Sequence, residues 1–464
     1  MSKLPRRVMS AVSATVEPHP QSAVAPDPRP PEFSDDALAL RFAEVHEPDL
    51  RFVAAINKWF IWEGNRWAPD ETLRGFDDAR KICRAAASEC NEGKLRKVLA
   101  SAATVAAVER LARADRRLAA TMAQWDSDPW LLNTPDGIIN LKTGSIRAAH
   151  REDYVTKITR AGPRGKCPVW RAFLERVTDG DNELQAFIAR VIGYCLTGVT
   201  REHALFFNFG LGSNGKTTLI ETIAGMLGDY ALPAPIDMFT ASKFEKHSTD
   251  VAGLQGARFV TASETEQGRP WAEARIKLLT GGEEISARLM RRDNIRFLPQ
   301  FKLVVTGNHK PRLSSQDEAI RRRLYLIPFN VTIGRDERDQ CLPERLRSEW
   351  PGIMDWAIEG CLQWQQNGLK PPPAVRDATE DYLVAEDTFG AWLNDMVDLD
   401  ANAMTSTTDL FEPWKAYQAQ CGERVGTQKD FVEALEGRGF IRRHTREGNR
   451  WIGLRPNRKH EANQ

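Results

Sequence analysis

Short apolar runs alternate with stretches of helical period through the middle of this chain. Leu205, Phe206, Phe207 and Phe209 form one such run, of the kind shown by a strand buried on both faces. Leu219, Ile220, Ile223, Met226 and Leu227 follow at helical spacing, and Gly228 stands where that helix should stop. Further apolar runs begin at Arg258, Lys302 and Leu324. Over residues 204–332 this alternation predicts a three-layer α/β domain. Within it, residues 285–290 and 295–298 read as the strands of a β-hairpin with its tip at 291–294.

The flanks read differently. Residues 38–124 are mostly of helical character, with Ala-, Arg- and Leu-rich stretches at 77–87 and 94–120. Two turn-rich aromatic patches, 58–67 and 130–144, predict pairs of short strands, the second turning at Pro135-Asp136-Gly137. Residues 169–198 and 345–385 are again helical, the latter broken at Pro371, Pro372 and Pro373. From about Asp387 a helix at 431–435 precedes two short strands at 439–443 and 450–454, a winged-helix-like pattern. The expected domains are a disordered Pro-rich tail (1–37), a mainly helical region (38–199), the α/β domain (200–385) and the winged-helix-like module (386–464).

The first apolar run leads into Gly210-x4-Gly215-Lys216-Thr217, a complete phosphate-binding loop in the strand–loop–helix context that such a loop requires. Chance alone would place this pattern in roughly one or two of every hundred chains of this length. Gly210, Gly212 and Gly215 allow the backbone to curl close to phosphates. The N–H groups around Ser213, Asn214 and Thr218, with the helix N-terminus, would face the anion. Lys216 should reach the β/γ-phosphates of ATP, and Thr217 should offer its hydroxyl to Mg²⁺. The alternative is a glycine turn before an ordinary helix.

Such a loop needs an acid at the end of a neighbouring strand. The run from Arg258 ends in Glu264, with Glu266 two residues on, and the run from Lys302 ends in Asn308. Arg321, Arg322 and Arg323 precede the last strand, where an arginine could stabilise transition-state charge from a neighbouring subunit. The hairpin carries Arg291 and Arg292 at its tip, with Arg288 and Arg296 beside it. A basic hairpin grips phosphates without reading sequence, or is simply an exposed charged turn. Arg438, Arg442, Arg443, Arg446, Arg450, Arg455, Arg458 and Lys459 make the C-terminal module basic, which fits duplex or origin binding or a protein-docking or solvated surface.

Composition narrows the choice. The 464 residues carry a formal net charge of +1, so the case for nucleic acid is local rather than global. The seven cysteines form no Cys-x-x-Cys pair, which argues against zinc and fits a reducing compartment. No apolar run reaches the ~20 residues of a membrane span, and the N-terminus lacks the apolar core of a signal peptide.

In this order the motifs resemble those of the superfamily 3 helicases, in particular the poxvirus-type and phage/plasmid primase–helicase group. GLGSNGKTT is the loop, ASETEQG the acidic motif, KLLTGGEEISAR with FLPQFKL the motif particular to the superfamily, VVTGNHKP the sensor and DEAIRRRLYLIPF the arginine motif. Residues 130–198 resemble the helical region that precedes the helicase in that group. The resemblance implies an AAA+-type domain in a homohexameric ring that uses ATP and Mg²⁺ to move along single-stranded or forked DNA. It implies Lys216 and Thr217 on phosphates and Mg²⁺, Glu264 as the acid and second metal ligand, and Asn308 as the sensor. Arg322 or Arg323 would act in trans, and Arg291 and Arg292 would track DNA in the pore. The third motif reads Gly281-Gly282-Glu283 where Gly-Gly-Asp is usual, and Arg321 stands where Trp is usual. No room remains for a primase–polymerase domain before the helicase region, so helicase without primase activity is expected. The setting would be a phage, prophage or plasmid in a bacterial cytoplasm, with a separate primase and replication proteins as partners. A nucleotide-regulated DNA-binding switch is the competing class, and a small-molecule P-loop kinase a third.

Overall fold

The protein is described by a computed structural model covering residues 29–241, 249–263, 270–288, 294–313, 318–421, 425–446 and 448–457. It forms two compact units, one of residues up to Ile61 with Pro69–Thr121, the other of Trp62–Ala68 with Met122 onward.

In the first unit, helix Asp35–His46 starts on Ser34, whose hydroxyl accepts from the Ala37 N–H at 3.2 Å. Ordered structure therefore begins before residue 38, inside the span expected to be tail. Helices Arg74–Glu89, Gly93–Leu99 and Ala102–Ala112 follow. The predicted 94–120 helix is broken because Ser101 caps a new one, accepting from the Thr104 N–H. Phe42, Phe52, Trp59, Cys83 and Val108 form the core, and the Trp59 indole donates to Glu109 at 2.7 Å.

The boundary expected at 199 lies instead near 121. Helices Pro168–Val177 and Asn182–Leu196 bury Trp170, Phe187 and Ile192 in one core with Trp356 and Trp364 of helix Trp350–Asn367. Phe206 and Val304 of the central sheet share that core, so these helices are one layer of the α/β domain. The span 122–199 also holds an antiparallel sheet of Leu131–Thr134, Gly137–Asn140 and Ser145–Arg147, the first two joined by the expected Pro-Asp-Gly turn.

The central sheet comprises β1 (Leu205–Phe209), β2 (Ala231–Pro233), β3 (Phe259–Ser263), β4 (Lys302–Gly307) and β5 (Leu324–Pro328). All are parallel, in the order β5-β1-β4-β3-β2. Phe206, Val304 and Ile327 face one core, and Leu205, Phe207, Leu303 and Val305 the other. Burial on both faces explains the unbroken apolar runs. The order brings the C-terminal ends of β1, β4 and β3 side by side, the edge where open α/β sheets bind ligands.

The opposite edge is sealed by two buried cations. Lys302, 2% exposed, donates to the carbonyls of Thr197, Gln300 (3.2 Å) and Val199 (3.4 Å), with its ammonium 4.8 Å from the centre of the Tyr194 ring. Burial pushes its pKa down to about 7, while the carbonyl acceptors favour the charged form. Arg258 donates to the carbonyls of Leu196 (2.6 Å) and Leu131 (2.7 Å) and lies over Tyr230.

After helix Pro373–Ala385 the chain builds a module with its own core of Phe389, Trp392, Trp414, Phe431 and Trp451. Its elements are helix Thr388–Met396, strand Val397–Ser406, helices Thr407–Gln420 and Gln428–Gly437, and strands Arg442–Thr445 and Gly448–Pro456. The last strand pairs with both others, antiparallel. The first strand went unread because exposed Leu399 and Met404 and a bulge between them destroy any period of two.

Candidate active site

Lys216 opens helix Lys216–Leu227, directly after Gly215 in the left-handed region at φ 84°. A side chain at Gly215 would be strained by that backbone and would approach Val177 within 2.5 Å. A methyl group at Gly210 would overlap the Asn214 amide and the Phe329 carbonyl. Both glycines are thus fixed by geometry, and the loop wraps tightly enough to present its N–H groups.

The Lys216 side chain is 4% exposed. Its ammonium donates to Gly210 O at 2.6 Å, Asn214 Oδ1 at 2.9 Å and Asn308 Oδ1 at 3.2 Å. The loop after β1 and the residue after β4 are thereby joined through one charge. Burial lowers the Lys216 pKa from its ordinary value. Asn214 is 3% exposed, and its amide nitrogen donates to Phe329 O at 2.9 Å, tying the loop to the end of β5. Ser213 is held twice from the segment after β5: its carbonyl accepts from the Ile333 N–H at 2.7 Å, and its hydroxyl from Arg338 at 2.7 Å.

A cleft of about 390 Å³ opens over this loop. Residues 212–218 line it with Ser263 at the end of β3, and with Thr306, Gly307 and Asn308 at the end of β4. The Gly212, Ser213, Asn214, Gly215, Lys216, Thr217 and Thr218 positions expected around an anion all lie there, with Gly210 beneath them. Thr306 Oγ1 is buried and has no hydrogen-bond partner among the described residues. A cradle closed to Cβ atoms, a buried ammonium on exchangeable amide oxygens and an orphaned hydroxyl together fit a polyphosphate. Thr217 is exposed on the first helical turn, facing the same cleft, where its hydroxyl could join a hard cation. Glu264 and Glu266 lie outside the described residues; β3, which leads into them, ends at the cleft. Among the described residues no group of three or more His, Cys, Asp or Glu could hold a metal by itself.

The arginine motif separates into three environments. Arg321 is bound to Glu380 at 3.0 Å. Arg323 donates to Ala319 O at 2.7 Å and to Thr280 Oγ1 at 3.2 Å. Arg322 is exposed, with a 3.4 Å contact to Glu318 O. The hairpin forms as expected, with strands Ile285–Arg288 and Asn294–Phe297. Ile285, Ala287 and Phe297 turn inward, while Arg288 and Arg296 are exposed on the outer face. Arg291 and Arg292 lie outside the described residues.

Thr306 and Arg338 were not singled out in the sequence. Thr306 stands two residues before Asn308 and could have been found as the last polar residue of its strand. Arg338 gives no local signal, since only the fold carries the chain after β5 back to Ser213.

Comparison with known proteins gives two family matches. Residues 39–179 match the family described as D5 N terminal like, and residues 209–323 a family of unknown function, DUF5906. The candidate helicase L207/L206 of Acanthamoeba polyphaga mimivirus is 25% identical over 295 residues, covering 58% of this chain and 31% of that protein. The candidate helicase 022R of Frog virus 3 is 24% identical over 55% of this chain and 29% of its own length. The candidate primase C962R of African swine fever virus is 24% identical over 67% of this chain and 35% of its own length. The chain thus spans about a third of the length of these relatives. An apo structure of the NrS-1 C-terminal region covers 91% of this chain at 10% identity, with a TM-score of 0.48. No helix among the described residues is long and apolar enough to cross a membrane.

Proposed function

Since this chain belongs to the phage- and virus-type superfamily 3 primase–helicase family, we propose that it is an ATP-dependent DNA helicase acting in replication. The observation that carries the proposal is the Lys216 node, which joins the loop after β1 to Asn308 after β4 at the floor of a polar cleft. A triphosphate entering the cleft would take over the ammonium from Asn214 and Asn308. Asn308 is then released toward the γ-phosphate or the attacking water, so nucleotide state is transmitted to β4. Thr217 and the acidic motif at Glu264 would hold Mg²⁺, which would supply positive charge to the phosphates. Glu266 is a further acid in that motif.

In this proposal the protein works as a homohexameric ring of P-loop domains of the AAA+ type, each followed by a winged-helix module. Arg322 is the residue offered to a neighbour, because Arg321 and Arg323 are both held within their own subunit. The hairpin bearing Arg288 and Arg296, with Arg291 and Arg292 at its tip, grips single-stranded DNA. Thr280 lies between these parts: its hydroxyl accepts from Arg323, and its carbonyl contacts His203 Nδ1 at 2.8 Å, just ahead of β1.

A forked-duplex unwinding assay with a size measurement in the presence of ATP tests this proposal. Wild type should displace a strand as a hexamer, and Lys216→Ala should not. ATP hydrolysis without displacement would replace the helicase by a nucleotide-regulated DNA-binding switch. Arg322→Ala should lose roughly 10³-fold in ATP turnover. Partial rescue on mixing with Lys216→Ala subunits is the expected sign of action in trans.

A further inference from the structure

The C-terminal module carries its charge in an unusual place. Between residues 438 and 456 there are six arginines and one glutamate. Helix Gln428–Gly437, which in a helix-turn-helix arrangement would enter the major groove, carries Asp430, Glu433 and Glu436 against the single Lys429. All four are exposed, and Lys429 already stands 3.7 Å from Glu433. This helix would bring net negative charge against phosphates. The basic surface belongs to the hairpin of Arg442–Thr445 and Gly448–Pro456.

Not all of the arginines are available. Arg438 is bound to Asp387 at 2.6 Å and Arg455 to Asp400 at 3.1 Å, and Arg442 lies over the Trp451 ring. Arg443 and Arg446 are exposed, and their side chains make no ion pair or hydrogen bond among the described residues. Arg443 also stands directly across the ladder from Arg450. Arg450 itself donates to the Met404 carbonyl at 3.3 Å, so the open basic surface of the ladder is that of Arg443 and Arg446. Among the described residues of the hairpin no Phe, Tyr or Trp ring is exposed: Trp451 is fully buried, Phe440 packs on the module's core, and the exposed His444 imidazole is tied to Asn449 Oδ1 at 3.0 Å. Single strands are held by stacking bases on a series of exposed aromatics, and here His444 alone, engaged by Asn449, offers a ring. What remains is a two-stranded basic ladder suited to a regular double row of phosphates.

We propose that this hairpin clamps the phosphate backbone of duplex DNA without reading sequence, and that helix Gln428–Gly437 takes no part in base recognition. The site is separate from the ATP cleft, so its test needs no nucleotide and its outcome is independent of the helicase proposal. Binding of the full chain to two unrelated 30-base-pair duplexes, and to their separate strands, would be followed by fluorescence anisotropy between 50 and 200 mM salt. Arg443→Ala with Arg446→Ala should weaken binding to both duplexes equally, on the order of 10-fold or more. The slope of log affinity against log salt should fall by about 2, and ATP turnover without DNA should not change. Glu433→Gln with Glu436→Gln should leave duplex affinity unchanged or raise it. The proposal is overturned if the arginine variant keeps wild-type affinity and slope. A loss confined to single strands, a loss on one duplex only, or weaker binding by the glutamine variant would overturn it equally.

Discussion

Each edge of the central sheet holds a buried lysine surrounded by oxygen atoms, yet the two edges do opposite things. At the C-terminal edge, Lys216 rests on one carbonyl and on the side-chain amides of Asn214 and Asn308, beneath an open cleft. At the N-terminal edge, Lys302 rests on three main-chain carbonyls beneath the Tyr194 ring. An amide side chain can rotate away and yield its place to a phosphate, whereas a main-chain carbonyl in a packed segment cannot. The identity of the acceptors, more than burial or charge, therefore separates an exchangeable site from a structural one.

The largest test of that contrast is Lys216→Ala. ATP turnover should fall on the order of 10³-fold, the cost of removing a preorganised charge from a phosphoryl-transfer site. The melting temperature should stay within about 2 °C, because the amides of Asn214 and Asn308 can turn to the open cleft once the ammonium is gone. Phosphate release and thermal unfolding measure the two sides. A collapse in melting temperature would make Lys216 a structural residue like Lys302.

Lys302→Met keeps length and apolar volume while removing the donor. The carbonyls of Thr197, Val199 and Gln300 are then left without it, and stability should drop by about 3 kcal/mol in urea titration. ATP affinity of the folded protein should remain at the wild-type value. A loss below about 0.5 kcal/mol would show that these carbonyls do not need the ammonium.

The two edges were not equally legible in the sequence. The loop is contiguous, and Gly210, Gly215, Lys216 and Thr217 announce it by type and spacing. Asn308 and the arginine motif could be placed because each closes or opens an apolar strand. Lys302 and Arg258 occupy comparable strand-start positions but carry no such signal. Their partners lie at 131 and 196–199, brought close only by helix Asn182–Leu196 packing on the sheet. The same packing moved the unit boundary from 199 to 121, since a helix facing its own domain and one facing a neighbour show the same period. The three arginines differ only in what the fold sets beside them, so Arg322 could be singled out only after Glu380 and Thr280 were in place.

The sealed edge should also show in the pH dependence of stability. Lys302 has a folded pKa near 7, below the ~10.4 of an unfolded lysine. Between those values the unfolded chain binds the extra proton, so this group's contribution rises with pH from about 7 and is complete above about 10. It is lost as pH falls back through that window. The buried thiols of Cys195 and Cys361, pushed up to about 12 and about 11, act in the opposite sense above about 8.5. The informative quantity is therefore the stability of wild type minus that of Lys302→Met, which should grow by about 2 kcal/mol between pH 7 and pH 9. A flat difference would mean that the carbonyls keep Lys302 charged throughout.

The smallest effect concerns Thr306, where the open edge departs from full pairing. Its hydroxyl is buried at the cleft wall without a partner among the described residues, next to Gly307 and Asn308. An unpaired buried hydroxyl costs about 1 kcal/mol or more in the ligand-free protein. Thr306→Val retains the branched shape and removes the oxygen, so it should raise stability by about 1 kcal/mol. If the hydroxyl is reserved for the nucleotide or the attacking water, the same change should lower ATP affinity or turnover by roughly 3- to 10-fold, one ordinary hydrogen bond. A shift in Kd alone would place the contact on bound ATP, and a shift in kcat alone would place it on the water or the transition state. Higher stability with both constants unchanged would leave Thr306 as a packing residue, and the exchange at the open edge would then rest on Asn214 and Asn308 alone.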